Sequence, residues 1–160
     1  MIVTERLLIR PLSYYELVSR VYSHSGKVMS TEKEERVVKD TLVPMSKAPE
    51  KDHPYYTFWV GYDKGEEVIE IGFLRPPDLH KGVEIWYYVK NGFMNNGYAT
   101  EAVKGMVKWT GSKDIIFVCA SVDVDNTASK KVLLKSGFTF HSIMKDGMEA
   151  YFKMNSELFN

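Results

Sequence analysis

The chain holds one cysteine, Cys119, in 160 residues, so it has no partner for an internal disulfide. That excludes a disulfide-stapled scaffold, and a reducing compartment is the expectation. Neither charge is in excess, since 21 Lys and Arg face 21 Asp and Glu. A nucleic-acid binder would normally show a basic surplus, so no nucleic-acid partner is expected. No uncharged apolar run approaches the ~20 residues of a membrane span, and no membrane partner is expected. The opening residues Met1 to Arg6 lack a basic region followed by an apolar stretch. No secretory leader is read there, and the cytoplasm is the expected location. His24, His53, His80 and His141 stand far apart without paired spacing, which gives a metal site no support. No Gly-Lys-Ser/Thr follows the glycine turn described below, which excludes a P-loop.

What is present is an ordinary globular composition, 44% apolar. One domain spanning residues 1–160 is expected, and the length suffices for a substantial core. Residues 6–12 read as a strand stopped by Pro11. Ser13 is a candidate N-cap for a short helix with Leu17, Val18 and Val21 inward. Ser30 or Thr31 would cap a second helix through Leu42, with Glu32–Arg36 and Glu35–Lys39 paired at i,i+4. Pro44 to Pro54 reads as a loop. Strands are expected at Tyr56–Tyr62 and Val68–Leu74 about the turn Asp63-Lys64-Gly65, then at Ile115–Val122. A helix capped by Asp125 or Asn126 runs to Lys135 and stops at Gly137, before a hairpin of 138–143 with 148–154.

The stretch Val83 to Trp109 organises the rest. Val83, Ile85, Tyr87 and Val89 alternate with Glu84, Trp86 and Tyr88, as in a buried strand. Asn91-Gly92, Asn95-Asn96 and Gly97 tolerate positive φ and end it. From Ala99 an amphipathic helix follows. A strand passing through small residues into a helix start aims several free N–H groups at one spot, which favours an anion.

These residues resemble a known family. Gly97-Tyr98-Ala99-Thr100-Glu101-Ala102 resembles the acyl-CoA-binding turn of the GNAT superfamily of N-acetyltransferases, most nearly its RimJ/RimL-like branch, which acts on ribosomal-protein N-termini. The branch usually reads Glu-Ile-Gly-Tyr, then Trp-Gly-Gln-Gly-Tyr-Ala-Thr-Glu-Ala. Glu84 and Ile85 match, Asn95-Asn96 replace Gly-Gln, and Trp86 stands where glycine is usual. Thr4-Glu5-Arg6-Leu7 and Arg10-Pro11-Leu12 resemble the branch's opening. Asn126, Ser129, Lys135, Gly137 and Phe138 match its Asn-x-x-Ser…Lys-x-Gly-Phe segment. Residues 13–80 carry little of the likeness.

The resemblance implies a single-domain α/β (α+β) GNAT fold. Its central sheet is mixed and mostly antiparallel, with strands four and five splayed and helices on both faces. It implies acetyl-CoA as co-substrate, an amine acceptor and no metal; homodimers are common for this fold. Main-chain N–H groups from Met94 through Asn95, Asn96, Gly97, Tyr98 and Ala99 to Thr100 would cradle the CoA pyrophosphate. Met94 stands where many members have Gln or Arg, so a side-chain phosphate contact is lost there. Backbone near Tyr88 and Val89 would hold the oxyanion. Asn126 would bond the pantetheine arm, or simply cap its helix.

Acetyl transfer also needs a free amine and a protonated leaving thiol. Glu84 is the candidate base, an acid in an otherwise apolar strand; a structural salt bridge is the competing role. Many members protonate the thiolate with a tyrosine on the last helix, and here Leu133 occupies that position. Ser129 is the candidate acid, against a plain capping role. Lys130 and Lys131 either approach the phosphates or form a solvated face. Cys119 reads as a core side chain. Tyr14, Tyr15, Tyr55, Tyr56, Tyr87 and Tyr88 either line an acceptor cleft or belong to the core. Three functions stay open: acetylation of a protein N-terminus, acetylation of a small amine (polyamine, amino sugar or antibiotic), or an inactive CoA-binding module in which Trp86 narrows the channel.

Overall fold

A computed structural model describes residues 1–22 and 31–155. Its centre is an eight-stranded sheet in the order β1-β2-β3-β4-β5-β6-β8-β7. The strands are β1 (Ile2–Val3), β2 (Leu8–Pro11), β3 (Phe58–Asp63), β4 (Glu66–Phe73), β5 (Gly82–Val89), β6 (Phe117–Val122), β7 (Thr139–Ile143) and β8 (Glu149–Met154). Every neighbouring pair is antiparallel except β5–β6, which is parallel. Asp63-Lys64-Gly65-Glu66 closes the β3–β4 hairpin with φ of 49° and 86° at its central residues, the primed turn that matches strand twist.

Helices cover both faces. On one, α1 (Tyr14–Tyr22), α2 (Thr31–Val37), the turn Val38–Leu42 and α3 (Val43–Lys47) bury Leu17, Val21, Leu42 and Met45 against Val60. On the other, α4 (Tyr98–Gly111) and α5 (Thr127–Lys135) bury Ala102, Val103, Met106 and Leu133 against Ile69, Ile71, Ile85 and Val118. Alternation along β3 supplies both cores at once, with Trp59 in one and Val60 in the other. Ser13 caps α1 as read: its hydroxyl accepts from Glu16 N–H, and the Glu16 carboxylate accepts from Ser13 N–H.

The loop expected at Pro44–Pro54 is corrected. Pro44 lies inside α3, and Glu50–Tyr55 forms a 3₁₀ helix. Val38–Leu42 links α2 to α3 as a π-helical turn, with Val43 N–H reaching back to Val38 C=O. Proline lacks the N–H a regular turn would use, and the wider turn just before it absorbs the mismatch. The second helical run therefore passes Leu42, its expected end. Its Glu32–Arg36 pair is present at 3.9 Å, and both side chains are exposed. Ser30 lies outside the described residues.

The feature that positions the site is where β5 and β6 part. Their register runs only through Gly82↔Phe117, Val83↔Val118 and Glu84↔Cys119. Beyond Glu84, β5 stays paired to β4 as far as Val89, while β6 continues beside β8 to Val122. These are the two strands expected to splay; the short β1 raises their count by one.

Candidate active site

The split opens into a cavity of about 680 Å³ lined by the end of β5, the turn before α4, and one side of α5 from its N-cap to Lys135. Of the residues expected to bind a cofactor, Tyr88, Val89, Met94, Asn95, Gly97, Tyr98, Ala99, Thr100, Asn126 and Ser129 all line it. Tyr87, Lys131 and Lys135 line it too.

Local geometry explains the turn. Asn95 has φ of 63° and Gly97 of 81°, so two left-handed residues bend the chain before α4 begins. The first bond of the helix runs from Glu101 N–H to Gly97 C=O. The N–H groups of Tyr98, Ala99 and Thr100 precede it and have no intrahelical acceptor. Gly97 is the N-cap and brings no side chain to cover them. A helix start left open in this way presents its donors and its positive dipole end to whatever occupies the cavity.

The turn is braced from behind. The Arg6 guanidinium donates to Asn96 C=O at 2.9 Å and to Glu101 at 2.8 Å, and stacks 4.6 Å from the Tyr98 ring centre. The Thr4 hydroxyl and Arg6 N–H also donate to Glu101. Burial of Glu101 works against its charge, but these donors hold its carboxyl below the usual range. The Asn96 side chain donates to Phe93 and Met94 carbonyls, and Tyr98 Oη donates to Asp63 at 2.6 Å. Asn96 thus shapes the turn without lining the cavity. The opening Thr4–Arg6 and the turn motif were legible separately, but not the contact between them.

Along β5, Glu84 C=O and Lys90 N–H both bond toward β4. In an unbroken strand the main-chain groups of Ile85, Tyr87 and Val89 then face the split. Val89 presents its N–H there, whereas the Tyr88 main chain turns to β4.

Glu84 does not line the cavity. It sits at the apex of the split with Oε1 accepting from Ser121 Oγ at 2.7 Å and Oε2 paired to Arg75 at 3.4 Å. Alternation puts it on the face opposite α4, with Trp86 two residues on. The Trp86 indole crosses Gly72 and meets Phe58 edge-on at 5.1 Å. A Cβ at Gly72 would come within 3.0 Å of that ring, so the glycine lets the indole lie flat. The ring therefore points toward β4 and β3, away from the split. A groove of about 330 Å³ runs beside it, lined partly by Arg36, Asp40, Tyr56 and Leu74.

On α5, Asn126 accepts from Ser129 N–H at 3.0 Å, so its side chain caps the helix. Ser129, three residues on, faces the cavity. Leu133 is fully buried in the core. Lys130 is committed to Glu149 at 2.7 Å, leaving Lys131 and Lys135, one turn apart, on the cavity wall. Lys135 was legible as part of a motif but not as a wall residue. The Cys119 thiol is pushed up to about 11 by burial and the nearby Glu84 charge, so it stays protonated at neutral pH. Tyr55 packs in the core with Phe73 and Trp109, while Tyr14 and Tyr15 line a separate cavity near α1 and α3.

Comparison with known proteins agrees with this fold. An acetyltransferase from Bacillus anthracis superposes with a TM-score of 0.68 at 18% identity, covering 97% of this chain and 98% of its own. The RimL ribosomal L7/L12 α-N-protein acetyltransferase, solved with coenzyme A, gives 0.72 at 15% identity over 95% and 96%. A mutant of the SpeG spermidine N-acetyltransferase from Vibrio cholerae gives 0.70 at 13% over 97% of each chain. At such identities the likeness carries the fold alone. No curated protein matches in sequence. The acetyltransferase (GNAT) domain model matches residues 6–139, and with most of its length so covered the chain belongs to the GNAT acetyltransferase family.

Proposed function

We propose that this chain transfers an acetyl group from acetyl-CoA to a primary amine. One observation carries the reading. The unpaired edge of β5 and the open N-terminus of α4 line the same cavity. An extended amide-bearing arm can bond the edge while a diphosphate takes the donors of Tyr98, Ala99 and Thr100. Lys131 and Lys135 add positive charge to the same wall, and the Val89 N–H faces the developing oxyanion.

The amine approaches from the opposite face, where Glu84 marks the apex of the split. An α-amine, with a pKa near ~8, presents a usable free-base fraction at neutral pH, whereas a lysine-like amine near ~10.4 does not. Glu84 serves as the base, directly or through water, and its hydrogen bond to Ser121 fixes its orientation. A protein N-terminal amine, the acceptor of the RimL neighbour, is the first acceptor class; a small amine such as the spermidine of the SpeG neighbour is the second. The inactive-module reading loses its main motive, because the Trp86 indole lies over Gly72 and leaves the split clear.

The experiment is free-thiol release from acetyl-CoA against a panel of N-terminal peptides, polyamines and amino sugars. Amine-dependent release at catalytic rates is expected. Tight CoA binding with no release by any amine would overturn the enzymatic reading.

A further inference from the structure

The departing thiolate needs a proton, and the usual helix position for a donor is filled by the buried Leu133. The cavity holds a phenol from a different element. Tyr87 reaches from β5 across to α5, where its Oη donates to the Ser129 carbonyl at 3.2 Å. Its ring sits among the lining residues, beside the edge of β5 left bare by the split. We propose that Tyr87 is the residue that protonates the CoA thiolate, delivered from the strand to the spot beside Ser129; this rests on the acetyl-CoA reading above.

Three features support the assignment. The Ser129 carbonyl lies in the first turn of α5, where a carbonyl already accepts from the N–H four residues on, so the Tyr87 bond can be exchanged for one to sulfur at small cost. A phenol near pKa ~10 is far better matched to a thiol near ~8.5 than an aliphatic hydroxyl is, and proton transfer between matched groups is the efficient case. Burial pushes the Tyr87 hydroxyl up, which keeps its proton in place at neutral pH. Ser129 then holds the other end of the phenol's hydrogen bond, acting as a positioning residue through its main chain.

The step balances. The free amine attacks the thioester carbon, forming C–N. On collapse the C–S bond breaks with its electron pair on sulfur, and Tyr87 Oη–H gives sulfur its proton. The new amide nitrogen loses its extra proton to Glu84 or water, and the tyrosinate takes one back from solvent.

The deciding comparison is wild type, Tyr87→Phe and Ser129→Ala, with CoA affinity from calorimetry and turnover with the best amine of the panel, or hydroxylamine as a generic small acceptor. Phenylalanine keeps the ring and removes only the hydroxyl; should it misfold, Tyr87→Leu replaces it. The expected result is a fall in kcat on the order of 100-fold for Tyr87→Phe, with CoA affinity within a few-fold, and a much smaller fall for Ser129→Ala, which keeps the main-chain carbonyl that holds the phenol. Unchanged turnover with CoA still bound would overturn this role alone. Loss of CoA affinity in Tyr87→Phe would make the hydroxyl a binding group and likewise overturn it. Absence of CoA binding by the wild type would remove the acetyl-CoA reading and this role together.

Discussion

Replacing Arg6 with alanine probes whether the turn before α4 is held in shape from outside. The guanidinium makes two links at once, to Asn96 C=O at 2.9 Å and to Glu101 at 2.7–2.8 Å. A charged hydrogen bond is worth roughly 1.5–3 kcal/mol when sheltered. The Arg6 side chain is 40% exposed, and exposed ion pairs contribute only about 0–1 kcal/mol. Discounting accordingly leaves about 2 kcal/mol for the whole contact, of which the Asn96 bond supplies about half. Released from it, the turn samples conformers whose N–H groups no longer converge. A cost of ~1 kcal/mol in turn order weakens CoA binding about fivefold, by the fraction of binding-competent protein lost. Calorimetry with CoA and thermal melts on wild type, Arg6→Ala and Arg6→Lys measure both parts. Arg6→Ala should raise Kd about fivefold and lower Tm by several degrees, with kcat at saturating acetyl-CoA kept within about twofold. Arg6→Lys should fall between, since an ammonium cannot span both acceptors as a planar fork does. A lowered Tm with unchanged Kd would refute the reasoning and show that Asn96 holds the turn unaided.

Other perturbations reach other parts of the account. Gly97→Ala meets open space, with only the Arg6 Nη2 at 3.4 Å, so its cost comes from φ of 81°. About 1 kcal/mol of strain, and CoA affinity weakened several-fold, is expected from melts and calorimetry. Glu84→Gln should cut kcat by at least about tenfold with CoA affinity kept, most severely for amines of high pKa; wild-type turnover across the amine series would clear Glu84 of the base role. Glu67, bonded to Lys90 and Arg20, is held down to about 2 despite its burial. Its folded value lies below the unfolded one, so its contribution is complete above about pH 4.5 and is lost as pH falls toward 2. Melts from about pH 6 down to about pH 2.5 should show that loss, and Glu67→Gln should flatten it. Iodoacetamide should label native Cys119 slowly at neutral pH and rapidly after unfolding, since the thiol is half-buried with its pKa raised.

Several elements were legible because local chemistry and tertiary packing agree. Alternation at Val83–Val89, the Asn126 cap and the positive φ of Asn95 and Gly97 are each written in a few adjacent residues. Pro44 misled because proline was read as a break, whereas a π turn at Val38–Leu42 accommodates it within the helical run. The two-residue β1 is too short to show a period. At the site, the turn before α4 was readable from its glycine and small residues. The brace on it was not, because Thr4 and Arg6 lie more than ninety residues from their partner Glu101. Nor could spacing show that the Trp86 indole leans over Gly72, or that the Tyr87 phenol meets Ser129, because both contacts depend on strand register and on where α5 docks.

Amide chemical shifts during a CoA titration test the central claim most directly. With ¹⁵N-labelled protein, the amides of Asn95, Gly97, Tyr98, Ala99 and Thr100 should move furthest, joined by Val89 on the open edge of β5. Shifts centred elsewhere, on the cavity near Tyr14 and Tyr15 for instance, with the start of α4 unmoved, would contradict it.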